Sequence, residues 1–224
     1  MRVAGYNTRN SQKCVEIIKK SFRAAETELT TGPTDFSLSG TTCVICFIVG
    51  KKILCANAGD SRAILVYQET GSNKYYLKAL SRDHKPNIEN EKKRIESKGG
   101  IIEKYIDESD GEEVGPFRVW VKGEGYPGLA MSRSIGDLIG SSVGVEPEAE
   151  VKEFDITDEA KYMIIASDGI WEFLENENVM NLSKKFYENN DNEKLCKTLV
   201  KHSTKVWERE DSGIDDITCV SVFF

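Results

Sequence analysis

The sequence has no apolar run of membrane-spanning length, which argues against a transmembrane helix or membrane partner. Its opening, Met1-Arg-Val-Ala-Gly-Tyr-Asn7, lacks the apolar core of a signal peptide. Basic residues are in deficit: 30 Lys and Arg stand against 37 Asp and Glu, giving a net charge of −7. That balance argues against nucleic acid as a partner, since phosphate binding needs a basic face. Histidine is almost missing, with only His84 and His202 in 224 residues. No P-loop, nucleophile elbow, internal repeat, low-complexity tract or linker is present, so a single domain over 1–224 is expected. With no targeting signal, a cytoplasmic or nuclear location is expected.

Six cysteines are present, at 14, 43, 46, 55, 196 and 219. Cys43-Val-Ile-Cys46 has C-x-x-C spacing, but it sits in an apolar run that reads as a strand, where residues three apart face opposite sides. No nearby His or second C-x-x-C completes a zinc site. Buried thiols in a reducing, intracellular compartment are expected.

Val15, Ile18, Phe22, Ala25 and Leu29 recur at helical steps, predicting one helix over 11–29. Short apolar runs at 43–49, 53–58, 63–67 and 75–80, separated by Gly-containing turns, predict an antiparallel meander. A charged helix follows over 88–98, then strands at 101–106 and 117–121 around an acidic loop at 107–115. Residues 123–128 read as flexible. Strands are predicted at 151–156, 162–166 and 217–224, and helices at 178–189 and 193–209, the latter with Leu195, Leu199, His202 and Val206 on one face. Strands and helices come in blocks rather than in βαβ alternation. The fold class predicted is therefore α+β, antiparallel sheets flanked by helices.

Three carboxylates share one setting, an apolar strand followed by Asp at a turn. They are Asp60 in Ala-Gly-Asp-Ser-Arg, Asp168 in Ala-Ser-Asp-Gly-Ile-Trp, and Asp215, with Asp216, before Ile-Thr-Cys-Val. Each is either a turn-capping residue or one ligand of a shared cation, and periodicity does not say whether the three meet. Oxygen-only ligation would select Mg²⁺ or Mn²⁺, or else Ca²⁺. Other patterns carry less. Gly123-Glu-Gly-Tyr-Pro-Gly128 matches G-x-G-x-x-G but opens no dinucleotide-binding helix, Asn181-Leu-Ser183 falls in a predicted helix, and the acidic 107–113 stretch lacks EF-hand order.

The chain resembles the metal-dependent serine/threonine protein phosphatases of type 2C. The resemblance rests on Ser39-Gly-Thr-Thr42, Ala58-Gly-Asp-Ser-Arg62, Asp83-His-Lys-Pro86, Arg94-Ile95 to Gly99-Gly100, Pro127-Gly-Leu-Ala-Met-Ser-Arg-Ser-Ile-Gly-Asp137, Pro147-Glu-Ala-Glu-Val151, Ala166-Ser-Asp-Gly-Ile-Trp171 and Asp215-Asp-Ile-Thr218, in family order along nearly the whole chain. It implies two antiparallel β-sheets sandwiched between α-helices, a four-layer arrangement. It also implies hydrolysis of phosphoserine and phosphothreonine in proteins by water activated at two or more Mg²⁺ or Mn²⁺ ions, without a phosphoenzyme. Asp168 and Asp215 match ligands of the binuclear centre, Asp60 matches a residue of a third, weaker site, and residues 100–128 match a substrate-selecting flap.

The family's phosphate-binding Arg, acidic pair and Asp-Gly-His-Gly-Gly motif have no counterpart in the sequence, where Asp-Gly occurs only at Asp110-Gly111 and Asp168-Gly169. The fold is accordingly expected to be N-terminally incomplete, with little activity in the chain alone and no catalytic side chain of its own. Self-association is expected through the surface the missing block would cover. The substrate-binding residues stay unassigned. His84 and His202 are expected to be structural. Glu172 stands where many relatives have Asp, and Asp216 where Asn is usual. The rival readings are a non-catalytic remnant of the same fold acting by binding, and a Ca²⁺- or Mg²⁺-binding structural module.

Overall fold

The computed structural model describes residues 8–210 and 213–224. In chain order the elements are α1 (Thr8–Thr30), β1 (Gly40–Thr41), β2 (Cys43–Val49), β3 (Lys52–Ala58), β4 (Arg62–Gln68), β5 (Tyr75–Ala79), α2 (Glu89–Ser97), β6 (Gly100–Ile106), β7 (Glu113–Val121), β8 (Pro127–Leu129) and β9 (Ile135–Gly136). They continue with α3 (Leu138–Ser142), β10 (Glu150–Asp155), β11 (Ala160–Ala166), α4 (Asp168–Trp171), α5 (Asn176–Glu188), α6 (Asn192–Glu210) and β12 (Cys219–Phe223). Among the described residues no helix is long and apolar enough to cross a membrane.

Two antiparallel sheets, ordered β10-β3-β2 and β12-β11-β4-β5, form the centre. Strand alternation divides the apolar residues between layers. From β3, Ile53 and Cys55 point between the sheets and meet Ala63, Leu65 and Tyr67 of β4 and Met163 of β11. Leu54, Ala56 and Ala58 point outward and are covered by Ile18 and Phe22 of α1. On the far side Ile64, Val66, Tyr162 and Ile164 are covered by Val179 and Phe186 of α5 and Leu195 and Leu199 of α6. The result is the four-layer order helix, sheet, sheet, helices. Each large aliphatic side chain so buried contributes about 1.5–3 kcal/mol. The expected separation of Cys43 and Cys46 holds, since Cys43 packs on the α1 side and Cys46 between the sheets.

Beside the sandwich stands a third sheet, β6-β7-β8. Its underside packs on Ile95 of α2 through Val119, with Val143 and Val145 closing the cluster. Here the structure departs from the sequence reading. The loop expected over 107–115 is shorter, because β7 begins at Glu113 and pairs it with Ile106. The stretch expected to be flexible, 123–128, is a turn that returns into β8, where Val121 donates its N–H to Tyr126. Cross-strand pairing supplies hydrogen bonds that polar and glycine-rich sequence does not advertise. The last strand starts at Cys219 rather than 217. On α6 the buried face is Leu195, Leu199, Ser203 and Trp207, and His202 lies at its margin, partly exposed.

Candidate active site

The apolar strand β11 ends at Ala166, and after Ser167 the chain turns at once into α4, whose first residue is Asp168. Ser167 fastens this turn to the segment before β12. Its N–H donates to Thr218 O (3.1 Å), its hydroxyl donates to Asp216 O (3.1 Å), and Thr218 N–H donates to the same hydroxyl (3.0 Å). Gly169 makes the approach feasible: a Cβ there would stand 2.5 Å from Asp216 O. The Gly169 carbonyl is held from the other side by Ser203 Oγ (2.5 Å) and Trp207 Nε1 (2.7 Å). Asp215 accepts the N–H of Asp216 at 2.7 Å. Backbone contacts thus bring Asp168 and Asp215 to one cleft of about 490 Å³, lined also by Lys85, Arg118, Glu172 and Trp207. A second hollow of about 640 Å³, lined by Arg62, Arg82 and Trp171, shares Lys85, Asp168 and Glu172 with it.

Asp60 enters from the turn between β3 and β4, which is interlocked with the loop at 83–86. Gly59 N–H donates to His84 Nδ1 (3.1 Å), and His84 N–H donates to Gly59 O (3.0 Å). Arg62 donates to both oxygens of Asp83, at 2.8 and 2.7 Å, and its guanidinium lies 5.1 Å from the Trp171 ring. Lys85 Nζ donates to Asp60 Oδ2 at 2.7 Å and stands 3.7 Å from Glu172. The Asp60 side chain is only 2% exposed, so its neutraliser in this arrangement is Lys85.

Burial, then the charges of Asp60 and Asp215, raise the Asp168 carboxyl to about 6, with Lys85 opposing. Crowded carboxylates of this kind are relieved by a cation, and an oxygen-only donor set fits a hard divalent ion. Asp168 and Asp215 line the same cleft. Asp60 is within reach of their charge but is tied to Lys85. Among the described residues no group of three or more His, Cys, Asp or Glu side chains stands close enough to hold a metal ion.

The remaining motifs support this platform. Glu91 of α2 has no exposed surface. It accepts from Arg133 (2.6 and 3.0 Å), Arg94 (2.7 Å) and Ser132 Oγ (2.8 Å). Ser132 in turn donates from its N–H and its hydroxyl to His84 O, which anchors the loop carrying Lys85. His84 is buried and neutral, in keeping with a structural role. Sequence reasoning gave no role to Lys85, Arg62 or Arg118. The matched signs were a usable signal, because Asp60 with Lys85 and Arg62 with Asp83 fit a single antiparallel register.

A family model described as "Protein phosphatase 2C" matches residues 6–210. The chain is 33% identical over 219 residues to "Probable protein phosphatase 2C 35" of Arabidopsis thaliana, covering 91% of the chain and 61% of that protein. It is 36% identical over 208 residues to "Probable protein phosphatase 2C 12" of Oryza sativa subsp. japonica, covering 91% and 51%. It thus spans between half and about three-fifths of these curated relatives. The fold is similar to the crystal structure of serine-threonine phosphatase 2C from Toxoplasma gondii, with a TM-score of 0.80 over 100% of this chain and 72% of that one at 20% identity.

Proposed function

We propose that this chain, which belongs to the protein phosphatase 2C family, carries part of a Mg²⁺/Mn²⁺ centre for hydrolysing phosphoserine and phosphothreonine in proteins. The observation that carries the reading is the convergence of Asp168 and Asp215 on one cleft through Gly169 and Ser167. Asp168 and Asp215 would hold the ion, with Asp60 joining if Lys85 withdraws. The ion's contribution is to activate water and to offset phosphoryl charge. The chain's own residues do the rest. Trp171, held by Arg62 O and Ala166 O, fixes α4, and Lys85 balances the acidic cluster. The hairpin of β6 and β7, within residues 100–128, borders the cleft through Gly115, Pro116 and Arg118 and serves as the flap that selects phosphoprotein substrates. A second copy of the chain is the other proposed partner, associating through the exposed apolar residues of β2.

Calorimetric titration with Mn²⁺ tests the site directly. Binding at about millimolar concentration is expected, and it should vanish in Asp168→Asn and in Asp215→Asn. Absence of binding by the unmodified chain would overturn the assignment. On a phosphothreonine peptide the chain by itself is expected to turn over at close to the uncatalysed rate, because the bridging carboxylate and phosphate-binding arginine implied by the resemblance are not among its residues. Mn²⁺-dependent phosphate release, abolished by Asp168→Ala, would contradict that.

A further inference from the structure

The chemistry above uses no thiol, yet all six cysteines are free and four of them lie in two facing pairs. Cys46 and Cys55 are cross-strand neighbours on β2 and β3, with Cys55 buried between the sheets. The other pair joins α6 to β12. Cys196 lies in the second turn of α6 and Cys219 opens β12, and their sulfurs are 3.7 Å apart. Both are half-buried, so a small reagent has access to them.

The separation is fixed by neighbouring contacts. Asn192, at the start of α6, donates through Nδ2 to Ser221 O (3.1 Å), and the Ser221 hydroxyl donates back to Asn192 Oδ1. Ser221 Oγ also lies 3.1 Å from Cys196 Sγ. The Cys219 thiol donates toward Cys196. Closing 3.7 Å to a disulfide length of about 2.0 Å is a movement on the scale of side-chain rotation.

We propose that Cys196 and Cys219 form a reversible dithiol–disulfide site that exchanges with small disulfides of the glutathione type, Cys196 attacking and Cys219 resolving. The Cys196 thiolate attacks one sulfur of the oxidised tripeptide, forming a mixed disulfide and expelling one glutathione thiolate. Cys219, losing its proton, attacks the Cys196 sulfur, forms the Cys196–Cys219 bond and expels the second. Two protein thiols are oxidised by two electrons, and one glutathione disulfide is reduced to two thiols.

The order of attack follows from the surroundings. Hydrogen bonding from Cys219 leads the influences that pull Cys196 down to about 6, burial opposing and Ser221 assisting. Cys219 is pushed well up, by its bond to Cys196 and then by burial. Oxidation would tie α6 to the strand whose first residue pairs with Ala166, two positions before Asp168.

The test is incubation of the chain in glutathione buffers of increasing oxidised fraction, acid quenching, alkylation and peptide mapping by mass spectrometry. The expected result is loss of two alkylatable thiols, a single linked peptide pair containing Cys196 and Cys219, and reversal by excess reduced glutathione. In Cys219→Ser the reaction should stop at glutathione on Cys196. In Cys196→Ser, modification of Cys219 should slow by about tenfold or more. Retention of all six thiols, a link mapping to Cys46 and Cys55 instead, or an unmodified Cys196 in Cys219→Ser would each overturn the proposal. The mapping on the unmodified chain decides the matter even if a variant misfolds.

Discussion

Glu91 is fully buried and yet ionised. Burial alone would raise its carboxyl, but the hydrogen bonds and charges of Arg133 and Arg94 bring it down to about 2 from an ordinary 4.5. His84 beside it is moved the opposite way for a base: burial, then the Arg133 charge, lower it to about 4 from 6.5. Both folded-state values are depressed, so both contributions to stability are complete above the ordinary values and are lost as pH falls. Asp168, raised to about 6, gains stability over the range in which His84 loses it. Thermal melting is therefore expected to be flat above about pH 6.5, to change little between there and about 4.5, and to fall through the Glu91 window below 4.5. A melting temperature that stays constant from neutral pH to pH 3 would refute the linkage. Removing the anion, as in Glu91→Ala, leaves Arg133 and Arg94 with only the more exposed Glu146 as a shared carboxylate at a largely buried site and should cost about 3–5 kcal/mol in chemical denaturation. Asp168 makes the reverse case, a charge held against repulsion. Asp168→Asn should raise the melting temperature of the metal-free chain, at the expense of Mn²⁺ binding, and a lowered melting temperature would show that the crowding inferred at this carboxylate is not there.

At the scale of elements, the site depends on how closely α4 approaches the segment before β12. Gly169→Ala would place a methyl group 2.5 Å from Asp216 O, with Ile217 at 3.0 Å and the Gly169 carbonyl held by Ser203 and Trp207. Neither side is a flexible side-chain end, so the expected cost is about 1–3 kcal/mol in denaturant unfolding together with at least tenfold weaker Mn²⁺ binding. Unchanged metal affinity in a folded Gly169→Ala chain would separate the glycine from the site. Elements of this kind were legible to different degrees in the sequence. The helix over 11–29 and the strands of the sandwich announce themselves through period, because each buries one definite face; Leu54, Ala56 and Ala58 against Ile53 and Cys55 is the clearest instance. The start of β7 at Glu113 was hidden, since Glu-Glu-Val-Gly has little strand character until β6 supplies its partners. Asp168 and Asp215 could be singled out as strand-end carboxylates, but their meeting is made by Gly169 and Ser167 across the fold. Lys85 was hidden because its partner Asp60 lies in another loop, and reading it requires pairing the two loops charge by charge.

Across the whole molecule the four layers are unevenly covered. The inner strand β4 of one sheet is shielded on both faces, whereas β2, the end strand of the other sheet, leaves Ile45, Phe47 and Ile48 at 37%, 40% and 45% exposure. An end strand also offers one side of its backbone to pairing, and here that edge is seven apolar residues with no charge, proline or bulge to blunt it. A net charge of −7 opposes association in general, but it acts at long range and is screened at physiological salt, whereas the apolar edge acts on contact. Contact should prevail as concentration rises. Sedimentation velocity is expected to show concentration-dependent association of the chain at about 10–100 µM, typical of transient contacts. Phe47→Lys, which places a charge on the exposed edge without touching the core between the sheets, should return it to monomer with its melting temperature little changed. A chain that remains monomeric throughout that range, or a Phe47→Lys variant that associates as strongly as the parent, would show that the β2 edge is not the self-association surface.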